Sequence, residues 1–142
     1  MKQLVHCSLS LRWLLLVISR PLLVPGKLFR VGGPMGWTVP PSPEFYQRWA
    51  SPQNYTTGDV LEFSYTGPNS SFVLNVRKYE YERCNSRRPM YNFSDGMAFA
   101  LLYSGNCYFI SSDFNACKKG RRLDVSVFKP TMLIQPTREL IY

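Results

Sequence analysis

The 142-residue chain predicts an all-β sandwich carrying one or two short helices, and three observations lead there. Aromatic residues make up 15% of the chain, with 9 Tyr and 9 Phe, side chains that pack well on a pleated surface. Its 11 Pro and 9 Gly recur at short intervals and break the sequence into brief segments. Those segments are short apolar runs bounded by Asn, Ser, Asp or Gly, which is the pattern of strands and turns. At 16.4 kDa there is room for one core. With 45% hydrophobic and 18% charged residues, the chain is too apolar to be a disordered tail.

In chain order the first segment, residues 1–26, reads as a secretory leader. Lys2 and Arg12 precede the apolar run Trp13 to Ile18, which Arg20 and Pro21 interrupt. The run falls far short of the roughly 18 residues that cross a bilayer, so no transmembrane segment is expected. Val24 and Gly26 are small residues at the spacing a signal peptidase prefers, which places the start of the mature chain near Lys27. The single histidine, His6, leaves with the leader, as does Cys7. A domain without imidazole holds no Ser-His-Asp or Cys-His pair and no histidine-ligated metal. Most enzyme classes fall on that count.

The domain, residues 27–128, follows. Phe29 to Val31 reads as a strand ended by Gly32-Gly33-Pro34, and a brief helix is expected over Phe45 to Ala50. Val60 to Tyr65 alternates between the turns Thr57-Gly58-Asp59 and Gly67-Pro68. Strands are then expected over Phe72 to Val76, Ala98 to Tyr103, Tyr108 to Ser111 and Leu123 to Phe128, with a second brief helix over Tyr79 to Arg83. Such strands with irregular connections make an antiparallel sandwich. Residues 129–142 form a short tail with no clear pattern. The tail carries no terminal apolar run of the kind exchanged for a lipid anchor, so release rather than tethering is expected.

Cys84, Cys107 and Cys117 remain after the leader, and none lies at the Cys-x-x-Cys spacing of a zinc knuckle or redox dithiol. One structural disulfide with one cysteine left over is the simplest account. Three sequons, beginning at Asn54, Asn69 and Asn92, mark N-glycosylation sites in an exported chain.

Specific residues then carry a resemblance. Phe29-Arg30-Val31-Gly32-Gly33, Gly36-Trp37-Thr38-Val39-Pro40, Trp49-Ala50, Gly58-Asp59-Val60-Leu61-Glu62-Phe63, Tyr81-Glu82-Arg83-Cys84-Asn85, Gly105-Asn106-Cys107-Tyr108-Phe109-Ile110 and Cys117-Lys118-Lys119-Gly120 resemble the plant phytocyanin domain, in particular the early nodulin-like proteins. The resemblance implies a cupredoxin-like Greek-key β-sandwich, secreted or held at the outer face of the plasma membrane. It also implies a disulfide between Cys84 and Cys117.

Copper-binding members of that family hold a blue copper ion with two His, a Cys and a weak axial Met or Gln, a donor set suited to a Cu(I)/Cu(II) couple. At the four corresponding positions this chain has Ser71, Ser111, Ala116 and Arg121. Hydroxyls and a methyl are poor copper donors, and a guanidinium repels a cation. No metal or other cofactor is therefore expected. Cys107, four residues before Ser111, reads as a small buried apolar residue, with a reactive thiol or an intermolecular disulfide as the functional alternative.

The formal charge is +8. Bridging Cys84 and Cys117 places Arg83, Arg87 and Arg88 near Lys118, Lys119, Arg121 and Arg122, a candidate anion-binding group. Its partners would be acidic cell-wall polysaccharide or glycoprotein glycans, and the alternative is an ordinary solvated face neutralised by Glu80, Glu82 and Asp113. No aromatics interleave with Lys118 to Arg122, so nucleic acid is not an expected partner. Trp37, Trp49, Phe63, Tyr65 and Phe109 fall at strand or junction positions and read as core. The sequence thus predicts a monomeric, non-enzymatic surface module with a structural or recognition role. Its rival is an electron carrier, the activity by which the wider family is named.

Overall fold

The computed structural model describes residues 3–4, 26–65, 72–94 and 97–129. The turn at Gly67-Pro68, the expected copper-ligand position Ser71, the sequon Asn69, His6, Cys7 and nearly all of the leader and tail lie outside them. In order come β1 (Gln3–Leu4), β2 (Leu28–Arg30), α1 (Phe45–Ala50), β3 (Tyr55–Thr56), β4 (Val60–Ser64), β5 (Val73–Val76) and α2 (Lys78–Arg83). Then follow β6 (Tyr91–Phe93), β7 (Met97–Leu101), β8 (Gly105–Ser111), α3 (Phe114–Lys118) and β9 (Arg122–Phe128).

Two sheets face each other. One is four-stranded in the order β1-β7-β4-β2, and the other five-stranded in the order β3-β9-β8-β5-β6. In the first, β4 runs antiparallel to β7 with Leu61 opposite Ala100, while β2 lies parallel to β4 with Phe29 opposite Leu61. In the second, β8 is antiparallel to both β5 and β9, pairing Asn75 with Phe109 and Phe109 with Leu123. Gln3–Leu4, inside the expected leader, add a parallel pair at Ala100 and Leu101.

The period-2 pattern decides which side chains enter. In β4, Leu61 and Phe63 are buried while Ser64 is exposed, and in β9 Leu123, Val125 and Val127 point inward while Ser126 faces solvent. Trp37, Tyr46, Phe63 and Phe109 fill the space between the sheets. Trp37 meets Phe63 edge-on at 5.0 Å, and Phe63 meets Phe109 at the same centroid distance. Strand β5 is different, for all four of its residues are buried. Val73 joins the main core, whereas Leu74 and Val76 face a second cluster with Ile110, Cys84 and Cys117, against which Tyr81 and Tyr108 pack.

The expected strands and both expected helices are present. Among the described residues there are three short α-helices rather than one or two, beside a 3-10 turn at Gly33–Met35, because α3 follows Asp113, whose Oδ1 accepts the amide of Ala116 at 3.0 Å. Strands β3 and β6 were also not expected. They are only two and three residues long, too short for a period to show, and they form through tertiary pairing with β9 and β5.

Asp59 ties three segments together. It is buried, its Oδ1 accepts the amide of Lys27 at 2.8 Å, and its Oδ2 accepts the amide of Thr56 at 2.9 Å. Lys27 directly precedes the edge strand β2, and Thr56 is the second residue of the edge strand β3. Asp59→Ala leaves these amides without their carboxylate, and the expected loss is about 2 to 3 kcal/mol, read as a lower urea midpoint at unchanged m-value.

Candidate functional site

The candidate site lies at the end of the sandwich where β8 passes through α3 into β9. Strand β8 ends at Ser111, whose Oγ accepts the amide of Asp113 at 3.2 Å, and Asp113 in turn caps α3. After α3 the chain doubles back, with the Arg121 amide donating to the Ala116 carbonyl and the Ser111 amide donating to the Arg121 carbonyl, each at 3.0 Å. Gly120 makes this return possible at φ 108°, and an added Cβ would stand 2.6 Å from the backbone of Pro43. Ser111, Ala116 and Arg121, separated in sequence, therefore meet in one tight loop.

Arg121 determines what this locus holds. Its side chain turns inward, leaves the residue 7% exposed, and donates from Nη2 to the Trp37 carbonyl at 2.7 Å. The guanidinium carbon lies 5.7 Å from the centroid of the Trp37 ring. Burial draws the Arg121 pKa below its ordinary value, partly offset by Tyr46, Tyr65 and Asp113. The Tyr46 hydroxyl accepts the amide of Thr38 at 2.8 Å and lies 2.7 Å from the Gly36 carbonyl, to which it donates. Its pKa is raised, first by burial, and the Thr38 bond and Arg121 oppose that rise.

The donor set does not fit copper. Ser111 offers a hydroxyl already engaged by Asp113, Ala116 offers a methyl group, and Arg121 brings a positive charge that faces inward. Among the described residues no group of three or more His, Cys, Asp or Glu is placed to hold a metal ion.

Cys84 and Cys117 are joined, with their Cα atoms 5.8 Å apart. The bridge fastens α2 to α3 across the outer face of the five-stranded sheet. Cys84 adopts φ 49°, the one non-glycine positive φ among the described residues, as it ends α2. Cys107 is 1% exposed within the main core, as its reading as a small buried residue expects, and it is disulfide-bonded rather than a free reactive thiol.

The seven cations do not act as one group. Arg121 is withdrawn into the core. Arg122 is half-buried and donates to the Tyr81 carbonyl at 3.3 Å, lying over the Tyr81 ring. Arg83 covers the Tyr79 ring at 3.9 Å and sits 3.7 Å from Glu82. Arg87, Arg88, Lys118 and Lys119 are exposed, the first pair shortly after Cys84 and the second directly after Cys117. A charge count along the sequence does not separate these roles. The Tyr46 clamp also escapes such a reading, since nothing adjacent to Tyr46 announces a partner eight residues away.

Residues 37–121 match the family of plastocyanin-like domains. Early nodulin-like protein 9 of Arabidopsis thaliana is 36% identical over 128 residues, 89% of this chain and 61% of its own length. Early nodulin-like protein 3 of the same plant is 40% identical over 103 residues, 72% of this chain and 51% of its own. The chain thus spans between about half and three-fifths of these relatives. Among solved structures, cucumber stellacyanin in its Cu2+ form has a TM-score of 0.63 at 28% identity, covering 74% of this chain and 97% of that one. Cucumber basic protein, a blue copper protein, has a TM-score of 0.62 at 26% identity, with 71% and 99% covered.

Arg121→Ala removes a charge-assisted bond to a buried carbonyl and the packing of the side-chain stem. The expected loss is about 2 to 4 kcal/mol in urea unfolding, accompanied by a change in Trp fluorescence as the environment of Trp37 opens.

Proposed function

The chain belongs to the plastocyanin-like domain family, in the company of the early nodulin-like proteins, and from that premise we propose a non-enzymatic recognition role outside the cell that uses charge instead of a metal. The observation that carries this reading is the buried Arg121 guanidinium on the Trp37 carbonyl, in the same loop as Ser111 and Ala116. A fixed positive charge stands where the resemblance places a copper ligand. The recognition surface is the neighbouring set of exposed cations, Arg87, Arg88, Lys118 and Lys119, and the ligand class is acidic cell-wall polysaccharide or acidic glycan.

Several observations support an exported module. The Cys84–Cys117 bridge belongs to an oxidising compartment, and both Asn54 and Asn92 are exposed on the folded surface. Among the described residues no helix is long and apolar enough to cross a membrane. The solved relatives named above are copper proteins, which makes electron transfer the reading to be tested against. Purified protein mixed with Cu(II) is expected to stay colourless, and an intense visible thiolate-to-copper band would replace the recognition reading with an electron carrier.

The surface itself has a separate test. Replacing Arg87, Arg88, Lys118 and Lys119 together by Ala is expected to shift elution from a pectin column to clearly lower salt. Wild-type retention should itself weaken as salt rises, because exposed charges are screened over about 10 Å at 0.1 M. Equal retention of the two proteins would remove this surface as the binding site.

A further inference from the structure

The two helices joined by the Cys84–Cys117 bond carry the same surface device. On α2, Tyr79 lies one turn before Arg83, and on α3, Phe114 lies one turn before Lys118. Side chains at this spacing are neighbours on a helix. In each pair the cation lies over the ring, with the Arg83 guanidinium carbon 3.9 Å from the Tyr79 centroid and the Lys118 Nζ 5.4 Å from that of Phe114. Both rings are left exposed, Tyr79 at 58% and Phe114 at 54%. The disulfide brings the pairs together, because Arg83 directly precedes Cys84 and Lys118 directly follows Cys117. With the cysteine Cα atoms 5.8 Å apart, the Cα atoms of Arg83 and Lys118 are at most about 13 Å apart.

Each pair is an exposed apolar ring with a positive charge beside it, and that charge still has bonding capacity. Arg83 reaches the Tyr79 carbonyl at 3.3 Å and Glu82 at 3.7 Å, both from Nη1, so Nη2 and Nε have no protein partner among the described residues. Lys118 forms no ion pair among the described residues. A uronic acid sugar matches this combination, for its pyranose ring has an apolar C–H face and carries a carboxylate at its rim. Glu82, whose side chain is 52% exposed, favours a sugar over an anionic bilayer. It accepts a hydrogen bond from a hydroxyl and repels a negatively charged surface.

We propose that Tyr79 with Arg83 and Phe114 with Lys118 are two subsites for uronic acid residues of an acidic polysaccharide, the rings stacking on the sugar and the cations taking its carboxylates. This rests on the recognition reading above and deepens it, since that reading calls for charge alone. Charge does not distinguish one polyanion from another, whereas contact with the rings does. That contact also resists salt, because apolar burial is not screened as exposed charges are.

The test titrates the full chain with oligogalacturonate and, separately, with poly-L-glutamate of matched charge. Oligogalacturonate is expected to bind more tightly, and the gap should widen as salt rises. Tyr79→Ala with Phe114→Ala keeps every charge and is expected to weaken oligogalacturonate binding about tenfold, the loss that two exposed ring contacts carry together. Binding of poly-L-glutamate by that variant should be unchanged, which also reports an intact fold. Tyr79→Phe with Phe114→Tyr retains both rings and should bind oligogalacturonate as the wild type does. Equal oligogalacturonate affinity of the Ala variant and the wild type overturns the subsites and leaves the charge reading standing, as does an equal loss of both ligands. Wild-type protein that binds neither polyanion sinks both readings. Binding to phosphatidylserine vesicles in place of oligogalacturonate overturns the proposal and assigns the two rings to a lipid surface.

Discussion

Strand β5 and the last three residues of β8 are buried on both faces, and the end of the molecule that carries the candidate site is built around that constraint. A sheet covered on one side needs only a core, but Leu74, Val76 and Ile110 lie on the opposite side and require a second cover. Helices α2 and α3 supply it. Each has only six or five residues, too few to be stable alone, so their positions depend on tertiary attachment. The Cys84–Cys117 bond provides that attachment directly. On the chain-entropy estimate, closing a loop with a sequence separation of 33 stabilises the fold by about 3 to 4 kcal/mol.

Fastening the helices also fixes the loops that carry charge. Because Cys117 is held by Cys84 and Gly120 is pressed against Pro43, the chain after α3 has one way back into β9. That path turns Arg121 inward and leaves Lys118 and Lys119 outside. One basic run therefore serves two purposes. The interior cation keeps its charge and is stabilised by the Trp37 carbonyl dipole and the Trp37 ring, while the exterior ones stay hydrated. Lys118 partly covers exposed Phe114, its Nζ 5.4 Å from the ring centroid, so its stem also shields apolar surface.

How much of this was legible in the sequence depends on how local each cause is. Strands β4 and β9 show their alternation within their own residues, and both α1 and α2 were visible between turn signals. Asp113 was present as a signal for α3, since an Asp followed by four residues without Gly or Pro is an ordinary helix start. Strands β3 and β6 had no such signal, because pairing with β9 and β5 creates them. At the site, the identities of Ser111, Ala116 and Arg121 already argued against a copper donor set. Their convergence, and the inward turn of Arg121, depend on the return loop and on Trp37, 84 positions away in sequence. A count of seven cations could not distinguish a buried arginine from an exposed one.

The exchange of donors and the burial of Arg121 reinforce each other. A guanidinium stays charged at every physiological pH, so a site that encloses it must satisfy it permanently. The Trp37 carbonyl does so at 2.7 Å, and the Tyr46 hydroxyl, tied to Gly36 and Thr38, holds the same segment in register. A metal cation brought to within about 4 Å of that charge would meet several kcal/mol of repulsion even at the effective dielectric of a protein surface. Restoring a single sulfur or imidazole donor would not reverse this, because the opposing charge would remain. Conversely, removing Arg121 would not create a metal site, since Ser111 and Ala116 supply neither thiolate nor imidazole. The loop thus sits at a minimum from which no one substitution leads back to a copper donor set.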